Sequence, residues 1–255
     1  MAGGPLIELD STTPGAVDGR HIRAVTFQST RLEYLTGVLE RLGRTPSGSA
    51  LVVGSGRGLL AEGLARLGYD VTGVDPSGTA TRMARESAAR AGLPVRYDTA
   101  PADRLGLDDQ AFDLVYVADT FEVTADLDRV AAEASRVLGP GGLLVYDTVN
   151  RSPLARVIYL GAFQSLPFTR IMPPGRYAAA RLRPPAEVAA ALERAGLRNE
   201  DTCDFKPKNP LRLVKAVLAR RSGRITDEEI APIVDMVLVP DGRPLVTYLG
   251  YARKA

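Results

Sequence analysis

Three glycines and an aspartate raise the first chemical question. In VVGSGRGLLAEGLARLGYDVTGVDPS, residues 52–77, Gly54, Gly56 and Gly58 follow a short apolar run, and Asp75 closes the next one. Glycine lets a backbone approach a ligand closely, and the amides opening the following helix stay free to bind it. The stretch suits a nucleotide-like ligand. It is a poor dinucleotide fingerprint, because Gly-x-Gly-x-x-Gly would place its third glycine where Leu59 stands, and Gly58 comes one place early. A tight strand-to-helix turn without a ligand is the competing reading.

A second set of reactive groups lies further on. Asp119 and Glu122 follow the apolar run FDLVYVA. Carboxylates at the end of a strand can take a proton from a hydroxyl, or supply oxygens to a hard cation. The opposed reading has Asp119 bound to solvent or to a cofactor amino group, with Glu122 capping the next helix. His21, the single histidine, is a third candidate base, set against a surface or capping role. Arg31 can clamp a carboxylate through two parallel hydrogen bonds, or sit on a solvated helix face. Asn150 and Arg151 follow another apolar run and can hydrogen-bond a substrate oxygen, or simply form a turn.

These residues need elements that bring them together. Residues 1–19 are expected to be flexible. Val25, Leu32, Leu35, Val38 and Leu39 fall at helical spacing and predict a helix over 20–43. Strands at 50–54, 69–75, 94–97, 112–118 and 142–149 then alternate with helices at 58–67, 78–91 and 125–138, with GPGG (139–142) as a turn. Such alternation predicts an α/β fold with a doubly wound, mostly parallel sheet whose ligand lies at the carboxyl ends of the strands. Gly54, Asp75, Ala118 and Thr148 share that edge.

Residues 151–183 break the alternation and are apolar, aromatic, basic and proline-punctuated. They read as a lid. A helix after Pro184 and Pro185 and a strand near 198–205 resume the core, a basic amphipathic run (NPLRLVKAVLARR) lies in an insertion at 206–242, and PLVTYLGYARKA is a last strand able to pair antiparallel. The expected divisions are therefore 1–45, 46–150, 151–183 and 184–255.

Composition bounds the rest. With 255 residues and 45% hydrophobic content, the chain can bury one good core. Lys+Arg 32 against Asp+Glu 30 gives +2, too balanced to argue for nucleic acid. A small-molecule partner is expected. One cysteine, Cys203, excludes an internal disulfide and fits a reducing cytoplasm. No run approaches the roughly 18 apolar residues that span a bilayer, so a cytoplasmic protein is expected, with a transient membrane contact through the basic run left open. The sequence sets no oligomeric state.

The order of the landmarks resembles the class I S-adenosylmethionine (SAM) methyltransferases, and within them the UbiG-like O-methyltransferases of ubiquinone biosynthesis. Gly-x-Gly-x-Gly followed by Asp75, then FDLVYVADTFEV, GPGGLLVYDTVNRS, IMPPGRYAAARLRPPAEV and KNPL are each similar to family segments, over about residues 20–215. The resemblance implies a seven-stranded sheet with an inserted helical lid. Its implied cofactor set is Arg31, Gly54, Ser55, Gly56, Gly58, Asp75, Pro76, Pro101, Ala102, Ala118 and Asp119. Asp75 would accept the ribose hydroxyls and Arg31 would meet the SAM carboxylate. Tyr34, Asn150, Arg151, Tyr159, Phe163, Met172 and Tyr177 would surround the acceptor.

Departures from the family matter equally. The family carries Glu-x-x-Glu-His after strand four, a cluster associated with a divalent metal; here Asp119, Glu122 and Val123 stand there. Two oxygen ligands remain for Mg²⁺ and the imidazole is gone. Val52 replaces an acid before the glycine turn, and GRYA (175–178) replaces GTHD. The expectation is SAM-dependent methylation of a hydroxyl on an aromatic or lipophilic small molecule, a secondary metabolite or quinone-like compound. N- or C-methylation, a methyltransferase-fold cyclase and, from another class, a nicotinamide oxidoreductase are the alternatives.

Overall fold

The computed structural model describes residues 4–254. Its sheet begins at β1 (Ser49–Val53), which pairs in parallel with β2 (Asp70–Asp75) on one side and β4 (Phe112–Val117) on the other. β3 (Arg96–Thr99) and β5 (Leu138–Val149) extend the parallel part outward. Along β1, Ala50 and Val52 face one core layer, while Leu51 and Val53 face the other. This is the two-residue period of a strand buried on both faces. It explains why the sequence there is continuously apolar rather than alternating.

The final strand β8 (Thr247–Lys254) runs antiparallel between β5 and β6 (Leu197–Pro207). The antiparallel closure expected of the C-terminal run is therefore present. Two expectations need correction. The sheet has eight strands, in the order β3-β2-β1-β4-β5-β8-β6-β7, because β7 (Met236–Val239) of the insertion adds itself to the outer edge of β6. GPGG is not a turn preceding β5 but part of it: Leu138 already pairs with Phe112, and a register shift absorbs residues 139–142 before Leu143 pairs with Leu114.

Helices cover both faces. α2 (Leu59–Leu67), α3 (Gly78–Ala91) and the long α1 (Gly19–Arg41) contribute to one layer, and α4 (Leu127–Val137) and α6 (Pro185–Arg194) to the other. α1 starts where the Asp18 carboxylate accepts the amides of Arg20 and His21. Of the stretch expected to be flexible, residues 1–3 lie outside the described residues, and residues 7–18 are pinned instead: Ile7 bridges Val17, Val17 is buried, and Asp18 pairs with Arg57 at 2.7 Å.

Residues 151–183 leave the sheet after β5 through α5 (Pro153–Arg156) and a π-helical turn at Val157–Ala162, then fold onto the start of α1. Gly19 allows that approach, since a Cβ there would run into the Ile171 carbonyl. Tyr159, Ile171, Met172 and Tyr177 are buried, while Phe168 is 79% exposed. In the insertion, α7 (Pro210–Arg221) carries the basic run.

Candidate active site

The glycine turn is built as the spacing demands. Gly54, Gly56 and Gly58 all have positive φ (79°, 54° and 92°), the region that favours glycine. A Cβ at Gly54 would strike the Ala118 carbonyl and the Thr120 hydroxyl, so β1 and β4 approach too closely there for any side chain. Asp75, fully buried at the end of β2, accepts the Gly56 amide at 2.9 Å and the Ser77 amide at 2.9 Å. Pro76 follows it. The Ala100 amide donates to the Asp75 carbonyl, which brings Pro101 and Ala102 past the same edge.

Three arginines of α1 descend on this edge. Spaced 20, 23, 31, they lie on one helical stripe with Phe27. Arg20 makes a two-pronged ion pair with Asp75 and also reaches Asp10 at 3.5 Å. Arg31 lies 2.7 Å from Asp119 and 2.8 Å from Asp147. Arg23 pairs with Asp119 and, at 2.9 Å, with Glu122, and donates to the Tyr177 hydroxyl at 3.2 Å. Its guanidinium packs 5.2 Å from both the Phe27 and Tyr159 ring centres, and Tyr159 in turn meets Phe163 and Tyr177 edge-on. Asp119 holds a left-handed backbone (φ 48°), a conformation that aspartate tolerates better than most residues.

The charges do not balance, and that fixes the proton. Asp119, Glu122 and Asp147 are three buried carboxyls facing two buried guanidiniums, Arg23 and Arg31. Burial pushes every carboxyl up. For Asp119 the two flanking arginines more than offset it and hold the group below the usual carboxylate range. For Glu122 burial wins over Arg23, and Asp119 adds to the rise; Asp147 is pushed up by burial to about 7. Asp119 is thus the fixed anion, Glu122 is pushed up from the usual carboxylate range, and Asp147 is the carboxyl placed to exchange a proton near neutrality. Asp147 Oδ2 has no hydrogen-bond partner, and Glu122 Oε2 accepts the Thr148 hydroxyl at 3.0 Å.

The expected residues divide accordingly. Ser55, Gly54, Gly56, Ala118, Asp119 and Arg31 line one cavity of about 20 Å³. His21 is on its rim, bound through Nε2 to Glu228 at 3.0 Å. Tyr159, Phe163, Met172 and Tyr177 do not line that cavity; Tyr159 packs on Arg23 and against Phe163 and Tyr177. Three expected residues are engaged elsewhere. The Tyr34 hydroxyl donates to Asp201 of β6, 11 residues or roughly 16 Å along α1 from Arg23. Asn150 donates to the Pro244 carbonyl, and Arg151 stitches the lid's end through the carbonyls of Ala180 and Leu182 and through Glu187. Both serve as the turn that anchors the lid.

Asp147, Arg20 and Arg23 were missed by sequence reasoning. The signal for Asp147 was an acid inside the buried run GLLVYDTV; for the arginines it was their stripe on α1.

A family described as "Methyltransferase domain" matches residues 51–146. The chain is 34% identical to the ubiquinone biosynthesis O-methyltransferase of Brucella anthropi over 181 residues, covering 68% of this chain and 72% of the relative. It is 32% identical to the protein of that description from Sinorhizobium fredii, over 69% of this chain and 73% of the relative. This chain belongs to the class I SAM-dependent methyltransferase family. The fold agrees with that of magnesium protoporphyrin IX methyltransferase from Synechocystis with bound S-adenosylhomocysteine (TM-score 0.59, 15% identity, covering 92% of this chain and 86% of the other). It agrees equally with a SAM-dependent methyltransferase from Aquifex aeolicus (TM-score 0.56, 18% identity, 91% and 93%). The nicotinamide alternative falls with this.

The methyltransferase uses SAM, and its residues fit that cofactor. Ser55 Oγ and Arg31 Nε, of residues that line the cavity, are buried without partners, an arrangement that costs free energy until a ligand satisfies it. The cavity is far smaller than an adenosyl group, and the Arg20 side chain that lines it is paired with Asp75. Among the described residues no cluster of His, Cys, Asp and Glu suits a metal.

Proposed function

We propose that this methyltransferase O-methylates a hydroxyl on an aromatic or lipophilic small molecule in the cytoplasm. The observation that carries this reading is the meeting of two environments under the lid: an aromatic wall of Phe27, Tyr159 and Tyr177, and the buried carboxyls of Glu122 and Asp147, both made more basic by burial. An aromatic ring packs against the first while its hydroxyl surrenders a proton to the second. Methyl transfer from a sulfonium asks chiefly for positioning and exclusion of water, which the lid supplies. The names of the relatives support oxygen as the nucleophile and favour a quinone-like ring over a secondary metabolite. Val123 and the GRYA of the lid argue that the acceptor differs in its substituents.

The test is an acceptor screen with SAM over catechols, hydroxyquinols and phenols, read by mass spectrometry. A product heavier by one methylene on oxygen supports the reading; methylation only of amines or carbon acids, or turnover without gain in mass, removes it.

We also propose a transient contact with anionic membrane surfaces. Residues 151–183 carry six arginines and 206–224 seven Lys or Arg, neither with an acidic residue, which leaves the remainder of the chain net negative. Leu166, Phe168, Leu211 and Val214 are exposed within those segments, an apolar set framed by cations that matches an anionic lipid interface. No helix among the described residues is long and apolar enough to cross a membrane.

A further inference from the structure

In the family resembled, the acids matching Asp119 and Glu122 belong to a cluster associated with a divalent cation. A hard cation takes six or more oxygen ligands and binds best to carboxylates that have no other partner. Here three of the four oxygens are engaged at hydrogen-bond distance, and the fourth, Asp119 Oδ1, has no hydrogen bond but lies against the Arg23 guanidinium. Asp119 faces Arg23 with one oxygen and Arg31 with the other, at 2.7 Å, while Glu122 faces Arg23 at 2.9 Å and the Thr148 hydroxyl at 3.0 Å. Val123 replaces the imidazole. The residues therefore do not fit a divalent metal.

The group between the two carboxylates is itself a cation, and it is held firmly. Arg23 is 4% exposed, flanked by Phe27 and Tyr159 and tied to the Tyr177 hydroxyl. One of its donors is unspent: Nε is buried and has no partner. A guanidinium donor left unpaired against an aromatic wall is suited to an acceptor oxygen bearing partial or full negative charge.

Resting on the O-methylation reading, we propose that this methyltransferase works without a divalent cation, and that Arg23 takes that cation's place by binding the acceptor's reacting oxygen through Nε. In the step, the acceptor's O–H bond breaks and its proton passes to a carboxylate of the Glu122–Asp147 pair. The O–CH₃ bond forms as the C–S bond of SAM breaks, and that electron pair remains on sulfur in S-adenosylhomocysteine. Arg23 stabilises the oxygen's developing charge and touches the acceptor, which makes it a catalytic residue. Asp119 and Phe27 position it.

The test titrates MgCl₂ into the wild-type protein and into Arg23→Ala by calorimetry, with melting temperatures measured in parallel. The wild type is expected to show no binding and no change in melting temperature with Mg²⁺ or EDTA. Arg23→Ala uncovers two carboxylates, and should melt lower and be raised by about 3 °C with Mg²⁺ or with millimolar guanidinium ion, which refills the gap. Mg²⁺ binding by the wild type, or EDTA-sensitive turnover, would overturn the proposal.

If Arg23→Ala does not fold, Arg23→Lys serves. It keeps the charge and lacks Nε. 4-Nitrocatechol, whose absorbance reports ionisation, should bind the wild type with its hydroxyl ionised below its solution pKa, and Arg23→Lys should lose that red shift while still binding S-adenosylhomocysteine. An unchanged spectrum in Arg23→Lys contradicts the Nε assignment. Failure of the wild type to bind S-adenosylhomocysteine would remove the methyltransferase reading instead, and the MgCl₂ titration would still answer for Arg23.

Discussion

At the scale of single residues, two side chains decide how the site behaves. Arg20 holds Asp75, so a ribose that uses this carboxylate, as we propose for SAM, must displace it, and Asp10 at 3.5 Å is the carboxylate to which it can turn. Arg20→Ala leaves Asp75 buried and unpaired until ligand arrives, and a buried charge that has lost its partner is costly. The variant is expected to melt lower than wild type and to bind S-adenosylhomocysteine about tenfold more tightly, equal to about 1.4 kcal/mol; calorimetry checks both directions, since weaker binding would mean that Arg20 contacts the ligand. Asp147 makes the second prediction. Its pKa of about 7 lies above its unfolded value. The unfolded chain releases this proton first as pH rises from about 4, so the group costs stability across the window from about 4 to about 7 and the loss levels off above it. Asp147→Asn keeps an oxygen for Arg31 and cannot ionise. Its melting temperature relative to wild type should therefore climb between pH 5 and pH 8; a flat difference would show that Asp147 does not hold the proton.

At the scale of elements, the packing of the lid on α1 is the contact to test. Alanine at position 19 would improve the helix by about 1 kcal/mol on propensity alone, yet its Cβ meets the Ile171 carbonyl. Overpacking of this kind costs about 1–3 kcal/mol, and the steric term should win. Gly19→Ala is expected to lower the melting temperature and to increase proteolysis within residues 164–176; a more stable variant would place the lid elsewhere. The elements themselves were largely legible in the sequence. α2 and α3 follow their helical spacing and caps, and the strands their apolar runs. What escaped was the identity of the groups on the buried stripe of α1. A helical period shows which residues face inward but not which carboxyl each arginine will meet, because Asp75, Asp119, Glu122 and Asp147 come from three different strand ends. β7 escaped for a related reason: four residues in an insertion become a strand only because β6 offers an open edge.

At the scale of the whole molecule, charge is segregated although the total is only +2. The formal sum concealed this, and the pattern of unbalanced segments revealed it. The cationic segments include the lid, and the pKa of Arg221 of α7 is lowered by burial, then by Arg170 of the lid and by Arg220. A surface approached through these segments would receive the lid side of the protein, where we propose that the acceptor enters. Co-sedimentation should be strong with vesicles rich in phosphatidylserine, weak with phosphatidylcholine alone and lost in high salt, and replacing Phe168 and Leu211 by serine should reduce it severalfold; equal binding to neutral vesicles, or none to anionic ones, would end the membrane proposal. The glycine turn with its buried carboxylate was the most legible feature of the molecule, since the spacing of Gly54, Gly56 and Gly58 and the position of Asp75 mark it in the amino-acid order alone. Titration of S-adenosylhomocysteine into the wild-type protein, Asp75→Ala and the isosteric Asp75→Asn tests it most directly. The account predicts micromolar binding by the wild type and at least about a hundredfold loss in both folded variants, about 2.7 kcal/mol; a folded wild type that binds nothing, or variants that bind as well as it does, would contradict it.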